Sequence, residues 1–568
     1  MADQVREIER KYETPEADGL PDLTGVPGVA SVADRGVTGL DAVYYDTPGE
    51  RLAADGITLR RRTGGDDEGW HLKLPVGPDT REEIRAPLSE DVPRYLAALV
   101  RSRVRDAPLV PVVRLRTDRD LRHLVGADGA VLAEVCVDAV TAERLAGGSG
   151  TARWTEIEAE LREGTGPDLL DTVEQALLAA GARRAAGPSK LARALAETAP
   201  GVTGDTGAAG ETDGATEGAG GPSEAGTPGW ADTARRSGMT EKAGKSEKAG
   251  KKGTAGGKGK KKPKPGRRTE PPERPTAGDH LLRYLRTQVT AIIELDPAVR
   301  RDQPDSVHRM RVATRRLRSA FRSFRTVLDR EVTDPVGDEL KWLAAELGVD
   351  RDREVLTERL HERLAELPHT LLVGPVRGRL RTWSNARRSG SRHQVIGVLD
   401  SHRYLDLLTT LDRLVADPPL LPDAGRPPME VLPGAVLREA RRLSRRMAKA
   451  LDTPEGHERD VAMHEARKAA KRTRYAAETA EPAIGKPAKR FVRHMKNLQD
   501  VLGDHQDSVV ARDALRDLAL RSQAAGESAF TFGVLYGHEE MRAAAREHEL
   551  PRAWKEASRK KYRTALRG

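Results

Sequence analysis

The segment at residues 198–276 constrains this chain more than any other. Its composition collapses first into Gly, Ala, Thr and Glu, and then, over residues 242–268, into Lys. Such a stretch cannot bury enough apolar surface to offset the entropy of ordering its backbone, so it reads as a disordered linker. The chain must then fold as two parts, residues 1–197 and 277–560, each around its own core. A length of 568 residues leaves room for that. The basic half of the linker serves either as a solubilising tether or as an electrostatic arm for an acidic partner.

The first part reads as strands. Short runs at 42–45, 57–62, 70–74, 111–116, 131–137 and 154–161 are separated by Gly, Pro and Asp turns. Helices are expected at 92–101 and 167–180, the second with Pro167 in its first turn and Gly181 past its end. Near the N-terminus, Glu7-Ile8-Glu9-Arg10-Lys11 puts Glu7, Glu9 and Lys11 on one face of a strand, because strand side chains alternate. Two carboxylates and an ammonium would be costly in an apolar core. They suit either the solvated face of an edge strand or a wet cavity holding a divalent cation and a polyanion. Other strands repeat the pattern: Arg60 with Arg62, Arg114 with Arg116, Lys73 opposite Leu72 and Leu74, and Glu156, Glu158 and Glu160 opposite Ile157, Ala159 and Leu161. At least five strands with one charged face favour a closed barrel with a charged lumen over two sheets packed face to face.

From His280 onward Ala, Leu and Arg recur at helical spacing, with Pro or Gly at the breaks. This half repeats itself. Val307-His308-Arg309-Met310-Arg311 is echoed by Met463-His464-Glu465-Ala466-Arg467, and Arg315-Arg316-Leu317-Arg318 by Lys471-Arg472-Thr473-Arg474. Leu347-Gly348 and Leu502-Gly503 follow at matching distances. A duplication of this kind predicts two similar helical bundles facing each other. On one helix over 307–328, His308, Arg311, Arg315, Arg318 and Arg322 form a stripe, while Met310, Leu317, Phe321, Phe324 and Leu328 turn inward. The second copy offers His464, Arg467, Lys471 and Arg474, and a further helix carries Arg438, Arg441, Arg442 and Arg445. A stripe of one sign works against helix stability and so points to an anionic ligand. The two stripe histidines read as structural residues or as donors to that anion; the surrounding cations argue against zinc.

The charge balance agrees. Lys and Arg number 96 against 87 Asp and Glu, giving a net charge of +9 and a pI near 9.5. That surplus suits nucleic acid, an anionic membrane or a phosphate polymer. Aromatics are only 4%, too few for a base-stacking single-strand binder, and no nucleic-acid motif is present. Cys136 is the sole cysteine, which excludes an internal disulfide and a thiolate zinc site. No apolar run approaches the roughly 18 residues of a membrane span, and no hydrophobic signal segment opens the chain, so a soluble cytosolic protein without membrane partners is expected.

The ordered set Glu7-x-Glu9-x-Lys11, Tyr44-Tyr45-Asp46-Thr47, Gly56-Ile57-Thr58-Leu59-Arg60-Arg61-Arg62, Trp70-x-Leu72-Lys73-Leu74-Pro75 and Glu156-Ile157-Glu158 resembles the CYTH family, the triphosphate tunnel metalloenzymes. The resemblance covers about the first 195 residues. It implies an eight-stranded antiparallel barrel with flanking helices that holds triphosphate with Lys and Arg and Mg²⁺ or Mn²⁺ with Glu. By match, Lys11, Arg60, Arg62, Lys73, Arg114, Arg116 and Lys190 would contact phosphate. Glu7, Glu9, Glu156 and Glu158 would hold metal, with Asp138 as a further ligand, and Glu7, Glu9, Lys11, Lys73 and Glu158 would form the catalytic set. Gly49-Glu50 departs from the pattern, in a turn where an aspartate is expected.

The motifs His308-x-x-Arg311, His464-x-x-Arg467 and Lys471-Arg472-Thr473-Arg474-Tyr475 resemble the CHAD family over about residues 278–560. That resemblance implies an all-α domain of two pseudo-symmetric four-helix bundles whose basic channel binds inorganic polyphosphate. The ligands would be His308, Arg311, Arg315, Arg318, Arg322, Arg438, Arg441, Arg445, His464, Arg467, Lys471 and Arg474, with Asp352 and Asp507 orienting them. The combined expectation is an α+β multidomain chain: an inorganic triphosphatase or short-chain polyphosphatase joined to a polyphosphate-binding module, in the cytoplasm or at polyphosphate granules. A non-catalytic granule-binding protein and an enzyme of nucleotide or thiamine triphosphates, including an adenylyl cyclase, are the alternatives.

Overall fold

The computed structural model describes residues 3–14, 20–187, 189–200, 275–385 and 388–567, without the side chains of 3, 349–354, 385 and 388–391. Of the expected linker, residues 201–274 lie outside the described residues. The chain falls into two compact units: the strand-rich N-terminal part, and the helices from Pro272 onward grouped with Ala98–Arg105.

In the first unit, strands β1 (Asp3–Glu13), β2 (Ser31–Asp46), β3 (Thr58–Thr63), β4 (Gly69–Pro75), β5 (Thr80–Ala86), β6 (Val110–Val125), β7 (Val131–Arg144) and β8 (Thr151–Leu161) pair in the order β5-β4-β3-β2-β6-β7-β8-β1. All of these pairs are antiparallel, and β1 also pairs with β5 (Glu7 opposite Arg81), which closes the sheet into an eight-stranded barrel. A two-residue β9 (Arg183–Arg184) adds to β1 outside that ring. Four helices accompany the barrel: α1 (Arg51–Ala54), α2 (Arg94–Val104), α3 (Asp168–Ala179) and α4 (Lys190–Glu197). The strand expected at 111–116 is 16 residues long, and β5 was not anticipated. Its sequence Thr-Arg-Glu-Glu-Ile-Arg-Ala has a single large apolar residue, so no hydrophobic alternation marks it. The helix expected at 92–101 starts after Pro93 and runs to Val104.

The barrel carries its apolar residues on both sides and its charges in one part of the lumen. Outside, Leu170, Val173 and Leu177 of α3 pack on Tyr12, Val135, Ile157 and Ala159. Inside, one end of the lumen is filled by Leu191, Ala194 and Leu195 of α4 against Val113, Leu115, Val140, Ala142 and Trp154. Further along the same inward faces the residues become charged: Trp154 gives way to Glu156, Glu158 and Glu160, and Leu115 to Thr117 and Arg119. The helix thus plugs an apolar end, and its first residue, Lys190, reaches the polar part. Ser189 caps it by accepting from the Ala192 amide at 3.1 Å.

The second unit contains α5 (Ala277–Arg300), α6 (Ser306–Ser323), α7 (Arg330–Glu346), α8 (Gly348–Glu366), α9 (Val376–Asn385), α10 (Arg388–Asp400), α11 (His402–Ala416), α12 (Pro428–Asp452), α13 (His457–Ile484), α14 (Lys486–Ala524), α15 (Phe530–Ala557) and α16 (Lys560–Thr564). The repeat is visible: α5, α6 and α7–α8 correspond to α12, α13 and α14. At Leu347-Gly348 the first copy breaks into two helices, whereas α14 runs through Leu502-Gly503 for 39 residues. The helix expected over 307–328 stops at Ser323, because Val327 and Asp329 hydrogen-bond residues 419–421 instead. Met310, Leu317, Phe321, Phe324 and Leu328 are all buried as expected.

Candidate functional site

The polar part of the barrel lumen is a cavity of about 410 Å³. Nine basic and eight acidic residues line it, and Tyr44 is its one aromatic. The alternation of β1 delivers Glu7, Glu9 and Lys11; β3 delivers Arg60 and Arg62; β4, Lys73; and β8, Glu158 and Glu160. The opposite faces of the same strands behave as alternation requires. Arg10, for example, points outward to Asp79 and to Asp171 and Glu174, which lie on or near α3.

Within the cavity almost every charge is paired with its opposite. Lys73 Nζ lies 2.5 Å from Glu7 and 3.7 Å from Glu83. Lys11 bridges Glu9 (3.1 Å) and Glu158. Lys190 touches Asp138 at 2.9 Å, Glu156 at 2.7 Å and Glu158 at 2.5 Å, and Arg119 donates to both Asp138 and Glu158. Arg60 donates to the Tyr44 hydroxyl at 3.3 Å, and Arg62 pairs with Asp67. Burial would raise Glu9, but the ammonium groups of Lys11 and Lys73 outweigh it and hold its pKa at about 2. Glu158 is likewise held well below the usual range, against burial, chiefly by Lys11 and Lys190. Burial dominates at Glu7, which is raised. At Glu160 burial, reinforced by Glu7, Glu9 and Glu158 and opposed by Lys73, pushes the carboxyl up to about 7.

Two expected residues lie elsewhere. Arg114 pairs with Asp41, and Arg116 sits within 4.0 Å of Asp41 and 3.8 Å of Glu143. They share the outward face of β6, so Thr117, Arg119 and Leu121 supply the inward one, and the expected arginine pair is replaced by Arg119. Glu156 and Asp138 are buried on inward faces as the partners of Lys190, which leaves them behind the cavity wall. Sequence reasoning missed Arg81, Glu83, Arg85 and Arg119. The first three belong to the unrecognised β5, where the alternation Arg81, Glu83, Arg85 was the available signal. Glu83 is buried and accepts from His71 Nδ1 at 2.8 Å and from Arg85.

The donor set fits a hard divalent cation. Glu7, Glu9, Glu83, Glu158 and Glu160 offer only carboxylate oxygens to the cavity, the ligand type that Mg²⁺ and Mn²⁺ prefer. In the wall behind them, ligand atoms of Cys136, Asp138 and Glu158 lie within 4.8 Å of one another.

In the helical unit, Arg311 of α6 packs so closely on Gly348 that a Cβ there would meet its guanidinium at 2.9 Å. Arg467 of α13 lies near Gly503, where an added Cβ would stand at ordinary contact distance, 3.8 Å, from its Nε, and it approaches Asp507 at 3.9 Å. The glycine of the first Leu-Gly pair is therefore the flat surface on which the stripe arginine rests. Lys471 is where the stripes converge: burial first, then Arg467 and Arg315, bring it down to about 7. His464 Nδ1 engages the Gln506 side chain, and Arg474 pairs with Glu478 at 2.6 Å and donates to Gln499 at 3.0 Å. His308 and Arg315 stay on the α6 face. A second cavity of about 310 Å³ at the end of that stripe is lined by Arg318, Arg322, Arg325, Arg330, Arg442 and Arg472, with Asp334 and Asp338 among its other lining residues. Of the α12 arginines it is Arg442 that lines this cavity; Arg441 and Arg445 are exposed, and Arg438 turns to the Ser323 carbonyl at 3.4 Å. The side chain of Asp352 lies outside those described.

A closed barrel with a mixed-charge lumen, followed by a duplicated helical unit with basic stripes, defines a class of protein. Residues 5–195 match the CYTH domain family and residues 283–516 the CHAD domain family, and the chain belongs to these families as a CYTH–CHAD protein. It is 37% identical over 549 residues to the uncharacterized protein Rv2226 of Mycobacterium tuberculosis (strain ATCC 25618 / H37Rv), which covers 94% of this chain and 92% of the relative. Among solved structures it is similar to PptA from Streptomyces chartreusis (22% identity, TM-score 0.43, 50% of this chain and all of that one). It is also similar to the CHAD domain from the plant Ricinus communis (24% identity, TM-score 0.41, 50% of this chain and 92% of that one). No helix among the described residues is long and apolar enough to cross a membrane.

Proposed function

We propose that the barrel hydrolyses inorganic triphosphate or short polyphosphate with the help of a divalent cation, Mg²⁺ or Mn²⁺, and that the helical unit binds inorganic polyphosphate. The observation that carries this reading is the near-equal count of cations and carboxylates lining one cavity. A binder of anions alone has no use for Glu7, Glu9, Glu158 and Glu160. A cavity that takes an anion and a cation together needs both sets, already placed.

The site works by exchange of partners. Lys73 and Lys11 are held by Glu7, Glu9 and Glu158 in the free protein. An entering triphosphate draws the lysines, together with Arg60 and Arg62, onto its oxygens, and the released carboxylates are free to hold metal. A divalent cation held by Glu7, Glu9 and Glu158 would supply neutralisation of charge on the phosphoryl oxygens. Water attacks the terminal phosphorus, the bridging P–O bond breaks, and phosphate and pyrophosphate leave. Glu160, ionising near 7, is the lining carboxyl suited to take the proton of that water at neutral pH. Among the described lining residues the apolar side chains are Leu40 and Leu121, and the ring of Tyr44 is already engaged by Arg60; so few apolar groups favour inorganic triphosphate over nucleotide and thiamine triphosphates.

The test is phosphate release from tripolyphosphate, ATP and thiamine triphosphate, each with Mg²⁺ and with Mn²⁺. The expected outcome is fastest release from tripolyphosphate. Faster release from ATP or thiamine triphosphate would transfer the assignment to that substrate, and no release from any would leave a binding barrel.

A further inference from the structure

Away from both cavities, three helices of the second unit bring ligand-type atoms to one point. Asp460 stands on α13, His505 on α14 and Glu547 on α15, with their ligand atoms all within 4.8 Å of one another. His505 is 1% exposed, and its Nε2 lies 3.3 Å from Asp460 Oδ1 and 3.2 Å from Glu547 Oε1. These distances decide how the cluster is read. A charge-assisted N–H···O bond to a carboxylate settles at about 2.7–2.9 Å, and one N–H points straight at only one acceptor. The 3.2 Å contact with Glu547 is within hydrogen-bonding reach, but two carboxylate oxygens at nearly equal distances from one nitrogen also suit a shared ion. Ligands about 2.1 Å from a common ion are separated by about 3.0 Å in an octahedral shell and about 3.4 Å in a tetrahedral one. The observed edges fall between these values.

The surroundings are built for it. Each carboxylate has its second oxygen fixed by an arginine: Arg512 donates to Asp460 Oδ2 at 2.9 Å and Arg459 to Glu547 Oε2 at 2.9 Å. Outer-shell bracing of this kind is what orients metal-ligating carboxylates. Glu455 lies 3.7 Å from Arg459 and Glu540 lies 3.8 Å from Arg512. Asp460 and Glu547 remain partly accessible, which gives an ion a way in.

We propose that Asp460, His505 and Glu547 form a second metal site, for a divalent transition-metal ion such as Zn²⁺ or Mn²⁺, separate from the barrel. One imidazole nitrogen and two carboxylate oxygens hold the ion, and water completes its shell. The ion ties α13, α14 and α15 together beside Leu502-Gly503, where Arg467 rests and Gln506 meets His464. It therefore fixes the segment that orients one basic stripe. The proposal stands whatever the helical unit binds.

Nitrogen ligation separates this site from the barrel, whose cavity lining includes no histidine among the described residues. The experiment uses the full chain carrying Glu7→Gln, Glu9→Gln and Glu158→Gln to silence the barrel. This protein is freed of metal, loaded with Mn²⁺, and examined by pulsed EPR for nitrogen modulation, with Zn²⁺ content and melting temperature measured in parallel. The expected result is one ion per chain with an imidazole nitrogen in its shell and a higher melting temperature with Zn²⁺. Adding His505→Gln, or Glu547→Gln, should abolish both. Absence of a nitrogen-ligated ion in the parent protein would overturn the proposal whether or not the variants fold. A nitrogen signal that survives His505→Gln would overturn it too, and would leave the cluster as a proton-sharing ion network.

Discussion

The barrel cavity and the helical stripes both gather basic residues, yet they treat charge in opposite ways. In the barrel most cations are bound to carboxylates: Lys190 alone touches Asp138, Glu156 and Glu158. Along the stripes cations crowd cations, and burial, then Arg467 and Arg315, bring Lys471 down to about 7. Paired charges inside a closed wall hold the fold together until a ligand of both signs replaces them. Like charges crowded on helix faces strain the fold until an anion relieves them. The same residue types therefore stabilise one region and burden the other, and substitutions should separate the two by sign.

The largest effect is expected at Lys190. Lys190→Met leaves three buried carboxylates short of a cation, and loss of one partner from a buried ion cluster costs about 3–5 kcal/mol. Chemical denaturation should show that loss in the barrel transition; an unchanged midpoint would mean the carboxylates do not depend on it. Next comes Glu158→Gln, which removes a carboxylate shared by Lys11, Lys190 and Arg119. Turnover of tripolyphosphate should drop by about 10²-fold or more, the scale seen when one preorganised charge at a reacting group is lost. Equal turnover in the variant would remove Glu158 from the site.

At the stripes the sign reverses. Lys471 has its pKa lowered from 10.5 to about 7, so its charged form is disfavoured by the fold. The unfolded chain binds the extra proton between pH 7 and 10.5, and stability should rise with pH across that window and be lowest below pH 7. Lys471→Met should therefore stabilise the helical unit near neutrality, by more than about 1.4 kcal/mol, the value of one pKa unit. The same shift predicts that polyphosphate affinity falls above pH 7, by at most about tenfold per pH unit, because the polyanion must restore the lost proton. Calorimetric titration at two pH values reads both. The smallest effect is the salt response of the double variant Arg311→Ala and Arg467→Ala. Polyphosphate binding should weaken and its dependence on salt should flatten by about two phosphate contacts, while barrel turnover is unchanged.

Much of this was legible in the sequence because both parts carry strong periodic signals. Glu7, Glu9, Lys11, Lys73 and Glu158 sit on alternating strands whose other face is apolar, and the duplicated histidine–arginine spacing exposed the helical repeat. What escaped did so for physical reasons. Strand β5 lacks apolar alternation, because its inward face is Arg81, Glu83 and Arg85 and only Ile84 marks the other. The assignment of Arg114 and Arg116 to the lumen failed because β6 presents Thr117, Arg119 and Leu121 inward, and strand parity cannot be fixed when both faces carry charge. Arg438, Arg441 and Arg445 missed the second cavity because the rotation of α12 about its axis is set by packing, which brings Arg442 to it. Nor does sequence spacing reveal that α4 plugs the barrel or that Asp460, His505 and Glu547 meet, since these contacts join distant segments.

The most direct test of the account measures both regions in one sample. Full-length protein is stripped of divalent ions, and phosphate release from tripolyphosphate and capture of long polyphosphate are followed before and after Mg²⁺ or Mn²⁺ is restored. The account predicts polyphosphate capture without metal and hydrolysis only with it. Hydrolysis that persists in excess EDTA, or polyphosphate capture that requires the metal, would contradict it.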